Sequence, residues 1–277
     1  DVVCVSEIGK PLYNFYGYVV EGVYESLEDI ENSPKTAKHP ANGVYNRANT
    51  VWVGDLKYKD INEDGMINEQ DRTDIGSPLP LFTFGWNNTF RYKGFDLNIF
   101  LNGSYGNKVL NYSLMNGPSG GLASMRSAWV NQNNHAIKDR AQLAPIDPDK
   151  VYESGSWFDD ITNVKVENSG TKTPRPTLSD PNDNDRLSTR YIEDGSYLRI
   201  KNITLGYTFP KKWMQKAHFD NIRVYCNIQN LYTFTKYSGY DPEVGASTQD
   251  SSGYAYGVDN GRYPSPTTYS FGVSLSF

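Results

Sequence analysis

The sequence predicts an all-β protein of the transmembrane antiparallel β-barrel class with long extracellular loops. Three observations predict it. Apolar residues recur at every second position over segments of roughly 9–12 residues, longer than the usual strand of a soluble sheet. The opposite faces of those segments are Asn, Ser, Thr, Gln and Gly, which suits a wet interior. Short and long connections alternate strictly between the segments.

Composition sets the outer bounds. The chain has 277 residues, enough for one or two domains or a single large all-β unit. Aromatic residues make up 14%, charged residues 21% and hydrophobic residues 38%. A net charge of −5 argues against a general nucleic-acid binder. The mean hydropathy of −0.62 and the lack of any long apolar run exclude a transmembrane helix. They do not exclude a membrane barrel, whose alternating strands average out as hydrophilic. Two cysteines, Cys4 and Cys226, cannot make a disulfide framework and read as free thiols. Asp1 is not an initiator methionine, no secretory signal opens the chain, and the sequence reads as a piece of something longer.

The strands follow in order. Phe82, Phe84, Trp86, Phe90 and Tyr92 share one face of a strand at about 81–92. Phe95, Leu97, Ile99, Leu101 and Tyr105 continue the pattern after a tight turn at Lys93-Gly94. Ile203, Leu205, Tyr207 and Phe209 form a third apolar face, with Leu198 and Ile200 in the opposite phase, so a bulge is expected near Lys201-Asn202. Ile222, Val224, Cys226 and Ile228 mark the returning strand. The last strand carries Tyr269, Phe271, Val273, Leu275 and Phe277. Aromatics near the strand ends match an interfacial girdle. Periodicity alone fits a soluble β-sandwich equally well. The connections decide: turns at 93–94 and 210–220 are short, whereas 24–80, 106–196 and 235–267 are long, and a sandwich has no reason to keep that parity. Within the long segments, 119–132 is expected to form a short helix with Leu122, Met125, Ala128 and Trp129 on one face, and 166–190 reads as loop.

The sharpest local motif runs from Asp60 to Asp71. It fits a calcium loop with oxygen ligands at positions 1, 3, 5, 7, 9 and 12. Asp60, Asn62 and Asp64 would supply side-chain oxygens, Met66 its backbone carbonyl, Asn68 a bridging water and Asp71 a closing carboxylate. Gly65 permits the sharp turn and Ile67 is the apolar anchor. Asp71 stands where a sensor loop has Glu, and the flanks are not helical, so the ion would be a structural clamp, calcium with magnesium as the alternative. The bland reading is an acidic turn holding no ion.

Enzyme signals are poor. Gly117-Pro118-Ser119-Gly120-Gly121 matches a nucleophile elbow in spelling, but lacks the preceding strand and any assigned His or Asp. His39, His135 and His218 have no zinc spacing. Asp159-Asp160 and Asp183/Asp185 read as solvated charges rather than a glycosidase pair. The stretch Tyr232–Glu243 reads as girdle and folded loop in preference to a sugar- or peptide-stacking surface.

Several longer motifs then carry a resemblance. Phe15-Tyr16-Gly17-Tyr18, Gly54-Asp55-Leu56-Lys57-Tyr58-Lys59-Asp60 and Asp71-Arg72-Thr73-Asp74-Ile75-Gly76 closely resemble the SusC/RagA family of TonB-dependent outer-membrane transporters of Bacteroidetes. So do Phe90–Leu97, Gly103–Asn107, Tyr197–Tyr207, Asn227–Thr235, Tyr237–Pro242 and Tyr269–Phe277. The match leaves out about 107–190. The resemblance implies that residues 1–277 are the C-terminal part of a 22-strand barrel, with the N-terminal plug absent from this chain. It implies uptake of an oligosaccharide or peptide with a SusD-like surface lipoprotein, energised by the TonB complex through that plug, in the outer membrane of a Gram-negative, Bacteroidetes-like cell. It implies no enzyme activity. Tyr269, Phe271, Val273, Leu275 and Phe277 would then form the barrel-assembly signal. The rival reading is a secreted, calcium-stabilised β-sandwich that binds glycans; a hydrolase using Ser119 or an acidic pair is the weaker alternative.

Overall fold

The computed structural model describes residues 3–116, 139–175, 177, 180–214, 219–245 and 256–277. The helix expected over 119–132, with Ser119, His135 and His218, lies outside the described residues. The chain divides into two compact units, one of residues 78–109, 194–244 and 262–277, the other of residues 1–77, 110–193 and 245–261.

The first unit is a single five-stranded sheet. Its strands are β1 (Phe82–Tyr92), β2 (Phe95–Tyr105), β3 (Tyr197–Thr208), β4 (Asn221–Thr235) and β5 (Thr268–Ser276). They lie in the order β5-β4-β3-β2-β1, every neighbouring pair antiparallel, so sequence neighbours are spatial neighbours throughout. β1 and β5 are the two edges of this open sheet. An 11-residue strand is about 36 Å long, and a tilt near 40° brings its rise to about 28 Å, close to the hydrocarbon thickness of a bilayer.

Register places most of the apolar residues of the five strands on one face; Phe100 and Tyr225 are exceptions that lie on the other, over Gly85 and Gly272. Trp86 faces Leu101, Phe90 faces Leu97 and Tyr92 faces Phe95. Leu97 pairs with Leu205, Leu205 with Cys226, and Cys226 with Phe271, so one row crosses from β2 to β5. The phase conflict in β3 is resolved by a bulge between Ile200 and Asn202. Beyond it Ile200 pairs with Leu101 and Leu198 with Gly103, which returns both to the face held by Ile203 and Leu205. This face is uncovered within the sheet: Trp86 is 58% exposed and Phe271 80%. Aromatics gather at both strand ends, Phe82 against Tyr105 at one and Phe95 against Tyr207 at the other, with ring centroids 5.4 and 4.5 Å apart.

The opposite face is polar and internally bonded. Asn98 Nδ2 donates to Asn87 Oδ1 at 2.8 Å and Thr89 Oγ1 at 2.9 Å, and Thr204 Oγ1 donates to Asn227 Oδ1 at 2.9 Å. Arg223 of β4 reaches across β3 to Asp96 of β2, at 2.5 Å from Nη2 to Oδ2. Gly206 permits this crossing, since a Cβ there would lie 2.4 Å from Arg223 Nη2 and 2.6 Å from Asp96 Oδ1.

The Lys93-Gly94 turn has the backbone that the sequence predicts, φ of 47° and 90°, the two positive values of a type I′ hairpin. The ends at Phe82, Tyr105, Tyr197 and Thr235 come together on one side of the sheet through the pairs Phe82/Tyr105, Ser104/Tyr197 and Tyr197/Thr235. All the long connections therefore leave from one end of the sheet and the short turns from the other.

The second unit is built from those long connections and has its own core. Trp52, Tyr24, Tyr58, Ile30, Val51, Val53 and Leu56 are fully buried in it, joined by Val164, Ile161 and Ala141 from much later in the chain. Val20–Val23 pairs with Leu56–Tyr58, and Asn14–Gly17 with Thr73–Gly76. A short helix, α1 (Leu27–Asn32), is capped by Ser26, whose hydroxyl accepts from Asp29 N–H at 3.2 Å, and it turns Ile30 into the core. A smaller cluster joins Phe15, Leu110, Leu187 and Tyr191.

Gly94→Ala tests the hairpin geometry. A Cβ at this positive φ would lie 2.7 Å from the carbonyl oxygen of Thr208, a backbone atom. The variant should lose at least about 1–2 kcal/mol of stability in a denaturant titration of the whole protein, and an unchanged midpoint would contradict the turn.

Candidate functional site

The Asp60–Asp71 loop sits between two paired segments. Leu56–Tyr58 leads into it, and Met66–Ile67 pairs in parallel with Lys35–Thr36 inside it. Each acidic or amide side chain of the expected ligand set is fixed by backbone donors. Gly65 N–H donates to Asp60 Oδ2 at 2.7 Å, Asp64 N–H to Asn62 Oδ1 at 3.2 Å, and Met66 N–H to Asp64 Oδ1 at 2.8 Å. Gly65 has φ 81°, as the sharp turn requires, and Ile67 is buried as the apolar anchor.

Asp71 plays a part that the spacing did not announce. It is fully buried, its Oδ1 accepts from Ile61 N–H at 2.8 Å, and its Oδ2 accepts from Asn68 N–H at 2.7 Å. Asn68 Oδ1 in turn accepts from Gln70 N–H at 2.9 Å, and a capping box closes the 3₁₀ turn Glu69–Asp71. These hydrogen bonds hold the loop closed. No three His, Cys, Asp or Glu side chains gather as a metal-holding group among the described residues. One oxygen stands apart: Asp60 Oδ1 is buried and meets no donor among the described residues.

A buried polar network lies just upstream in the same unit. Asp55 is fully buried, 2.9 Å from Arg175 Nε, and its Oδ2 accepts from Trp52 N–H at 2.9 Å. Asn184 is equally buried. Its Nδ2 donates to Asp180 Oδ1 at 2.6 Å and more weakly to Asp55 Oδ1 at 3.3 Å, while its Oδ1 accepts from Leu56 N–H at 2.7 Å. Asn182 Nδ2 donates to Leu56 O, and Tyr191 OH to Asn184 O. The segment 180–186, polar enough to read as solvated loop, therefore supplies the internal bracing of the core. Arg186 adds a cation–π bridge, 5.0 Å from the Tyr18 ring and 4.6 Å from the Tyr58 ring.

In the sheet unit, Arg199 of β3 ties down the connection that follows β4. Its Nε donates to Thr233 Oγ1 at 2.8 Å, Nη1 to Glu243 Oε2 at 2.7 Å, and Nη2 to Asp241. Asp241 also accepts from the backbone N–H groups of Glu243 and Ser265. In the stretch 232–243, Tyr232 and Phe234 lie exposed on the apolar face with their rings 4.7 Å apart, and Tyr237 is buried.

The weaker candidates find ordinary partners. His39 packs edge-on against Tyr24, and its Nδ1 is 2.9 Å from Thr36 N; burial lowers its pKa. Asp160 bonds Lys150 Nζ at 2.6 Å, which with Thr162 holds its carboxyl down to about 2, and Asp159 pairs with Arg47. In β5, Tyr269, Phe271, Val273 and Leu275 alternate outward along the free edge, and Phe277 packs its ring 6.5 Å from Phe219.

Asp180 gives the network a pH signature. Burial raises its carboxyl to about 6, above the ordinary carboxylate value. Folding therefore favours the protonated acid, and its contribution is lost as pH rises from about 4 through 6. Relative to Asp180→Asn, the wild type should lose about 2 kcal/mol of local stability between pH 4 and 7, read from hydrogen exchange of the Trp52–Tyr58 amides in the whole protein. Parallel profiles for the two proteins would contradict the assignment.

No protein-family model matches the chain. TonB-dependent receptor P3 of Formosa agariphila is 31% identical over 274 residues, 97% of this chain and 22% of that protein. TonB-dependent receptor P26 of the same organism is 28% identical over 98% of this chain and 23% of its own length. TonB-dependent receptor SusC of Bacteroides thetaiotaomicron is 27% identical over 79% of this chain and 17% of its own length. Among solved structures, the RagAB peptide importer in the open-open state superposes with a TM-score of 0.58 and 20% identity, over 100% of this chain and 24% of that one. The chain thus spans about a quarter or less of the length of the proteins it matches. It is a segment homologous to TonB-dependent receptors of the SusC/RagA type.

Proposed function

We propose that this chain is the C-terminal part of a 22-strand outer-membrane barrel in a TonB-dependent transporter of the SusC/RagA type. Its five strands are lipid-facing wall, and its long connections are extracellular. The observation that carries this reading is the uncovered apolar face shared by all five strands, with aromatics at both ends. A soluble glycan-binding sandwich would bury that face under a second sheet, and no such sheet covers it among the described residues of the unit. The homology to receptors supports transport rather than catalysis. Import of an oligosaccharide or peptide, a SusD-like lipoprotein partner, the remaining N-terminal part with its plug, and coupling to the TonB complex belong to the same reading. Homology to SusC and likeness to a peptide importer support it.

In the whole protein, Leu97→Arg should cost about 2–4 kcal/mol in a lipid-vesicle folding titration, while Asn98→Arg should be mild. Equal tolerance of the two would overturn the lipid-facing assignment.

The Asp60–Asp71 loop enters this proposal as a structural cation clamp, with Asp60, Asn62, Asp64, Met66, Asn68 and Asp71 around calcium, or magnesium in its place. The buried and undonated Asp60 Oδ1 supports it, as do a donor set made wholly of oxygen and the Gly65 turn. Both Asp71 oxygens already accept backbone hydrogen bonds, but a carboxylate oxygen has a second lone pair to offer. Wild-type loop should gain protease resistance with calcium and lose it with chelator, and Asp60→Ala with Asp64→Ala should abolish the difference. Resistance indifferent to calcium in the wild type would refute the clamp.

A further inference from the structure

The short-turn end of the sheet has a chemistry of its own. β2 and β3 are neighbours, so the Lys93-Gly94 turn lies beside the connection that follows β3, and Thr208 N–H donates to Gly94 O at 2.8 Å. A short helix, α2 (Lys211–Met214), opens that connection and exposes Lys211, Lys212 and Trp213. An aromatic ladder runs from the strands to the helix: Phe95 to Tyr207 at 4.5 Å, Tyr207 to Phe209 at 5.0 Å, and Phe209 to Trp213 at 6.3 Å.

The charge at this end runs against that of the chain. The molecule carries a net −5, yet Lys93, Lys211 and Lys212 are exposed here, and none has a carboxylate within ion-pair distance among the described residues. Arg223 is neutralised by Asp96, and the other described acid at this end is Asp220. Lys93 Nζ lies 5.2 Å over the Tyr92 ring, which holds the ammonium at the level of the aromatic band. Cations next to exposed Trp and Tyr, at the end of an apolar strand face, mark the depth at which headgroup phosphates lie.

We infer that this end of the sheet binds the phosphate of an anionic phospholipid from the leaflet on the short-turn side. Lys93, Lys211 and Lys212 donate to the phosphate, and the Phe95–Tyr207–Phe209–Trp213 ladder lies along the upper acyl chain. A zwitterionic lipid brings its own cation and gains less from the three lysines. The inference rests on the sheet facing lipid.

The test uses the whole transporter in detergent, titrated with phosphatidylglycerol or phosphatidylcholine and read by native mass spectrometry, beside the variant K93Q/K211Q/K212Q. The wild type should retain phosphatidylglycerol over phosphatidylcholine, and the variant should lose that preference by on the order of tenfold. Equal preference in both proteins overturns the inference. Displacement of the lipid by millimolar inorganic phosphate also overturns it, in favour of a free-phosphate site. A protein that needs detergent yet shows no preference sinks this inference alone, whereas one soluble without detergent sinks the membrane reading beneath it.

Discussion

Pairing register is the constraint on which the sheet depends. Side chains alternate across a strand, so a slip of one residue would send every apolar group of that strand to the wrong side. In β3 the sequence breaks phase between Ile200 and Ile203, and an unbulged strand would drive Leu198 and Ile200 into the polar face, opposite Ser104 and Asn102 of β2. Against β2 Lys201 is the surplus residue that absorbs the conflict, and against β4 the same level is irregular the other way, with Asn230 and Leu231 opposing Lys201. With the bulge the apolar face is continuous from Phe82 to Phe271, and the polar face has room for the Arg223–Asp96 bridge over Gly206. On the proposed lipid-facing reading, a backbone group left unpaired by a slip of register would have no water to turn to.

The long connections solve a different problem. They start and finish at strand ends, yet they carry a core of aromatic and branched residues drawn from segments more than a hundred positions apart. What braces that core is polar: Asp55 with Arg175, and the two asparagines Asn182 and Asn184 filling the backbone valences of Leu56. Removing one member of a buried ion pair strands the other, which is why such networks are costly to break. In the sheet unit Arg199 performs the corresponding service, gathering Thr233, Asp241 and Glu243 around one guanidinium.

Much of the sheet was legible from residues alone, because period 2 in Phe82–Tyr92 and Phe95–Tyr105 has no helical reading, Lys93-Gly94 has the chemistry of a type I′ turn, and the phase break at Leu198/Ile200 demands a bulge. The core of the connections was not legible. Asn182, Asn184 and Arg175 look like solvated loop because burial of polar groups depends on distant partners such as Asp55, and no local period records them. The Asp60–Asp71 spacing reads as a calcium loop; Gly65 has the positive φ and Ile67 the burial that such a loop uses. The capping role of Asp71 was hidden, although the Asn68–Asp71 interval is itself the spacing of a capping box.

Depth measurement along β2 tests the central claim most directly. Spin labels placed singly at positions 95–105 of the whole protein in lipid bilayers report accessibility to oxygen, which concentrates in hydrocarbon, and to a polar nickel complex, which does not. The account predicts period-2 alternation, with oxygen favoured at 97, 99 and 101 and disfavoured at 96, 98 and 102. Uniform accessibility along the strand, or high nickel access at 97, 99 and 101, would contradict a lipid-facing wall.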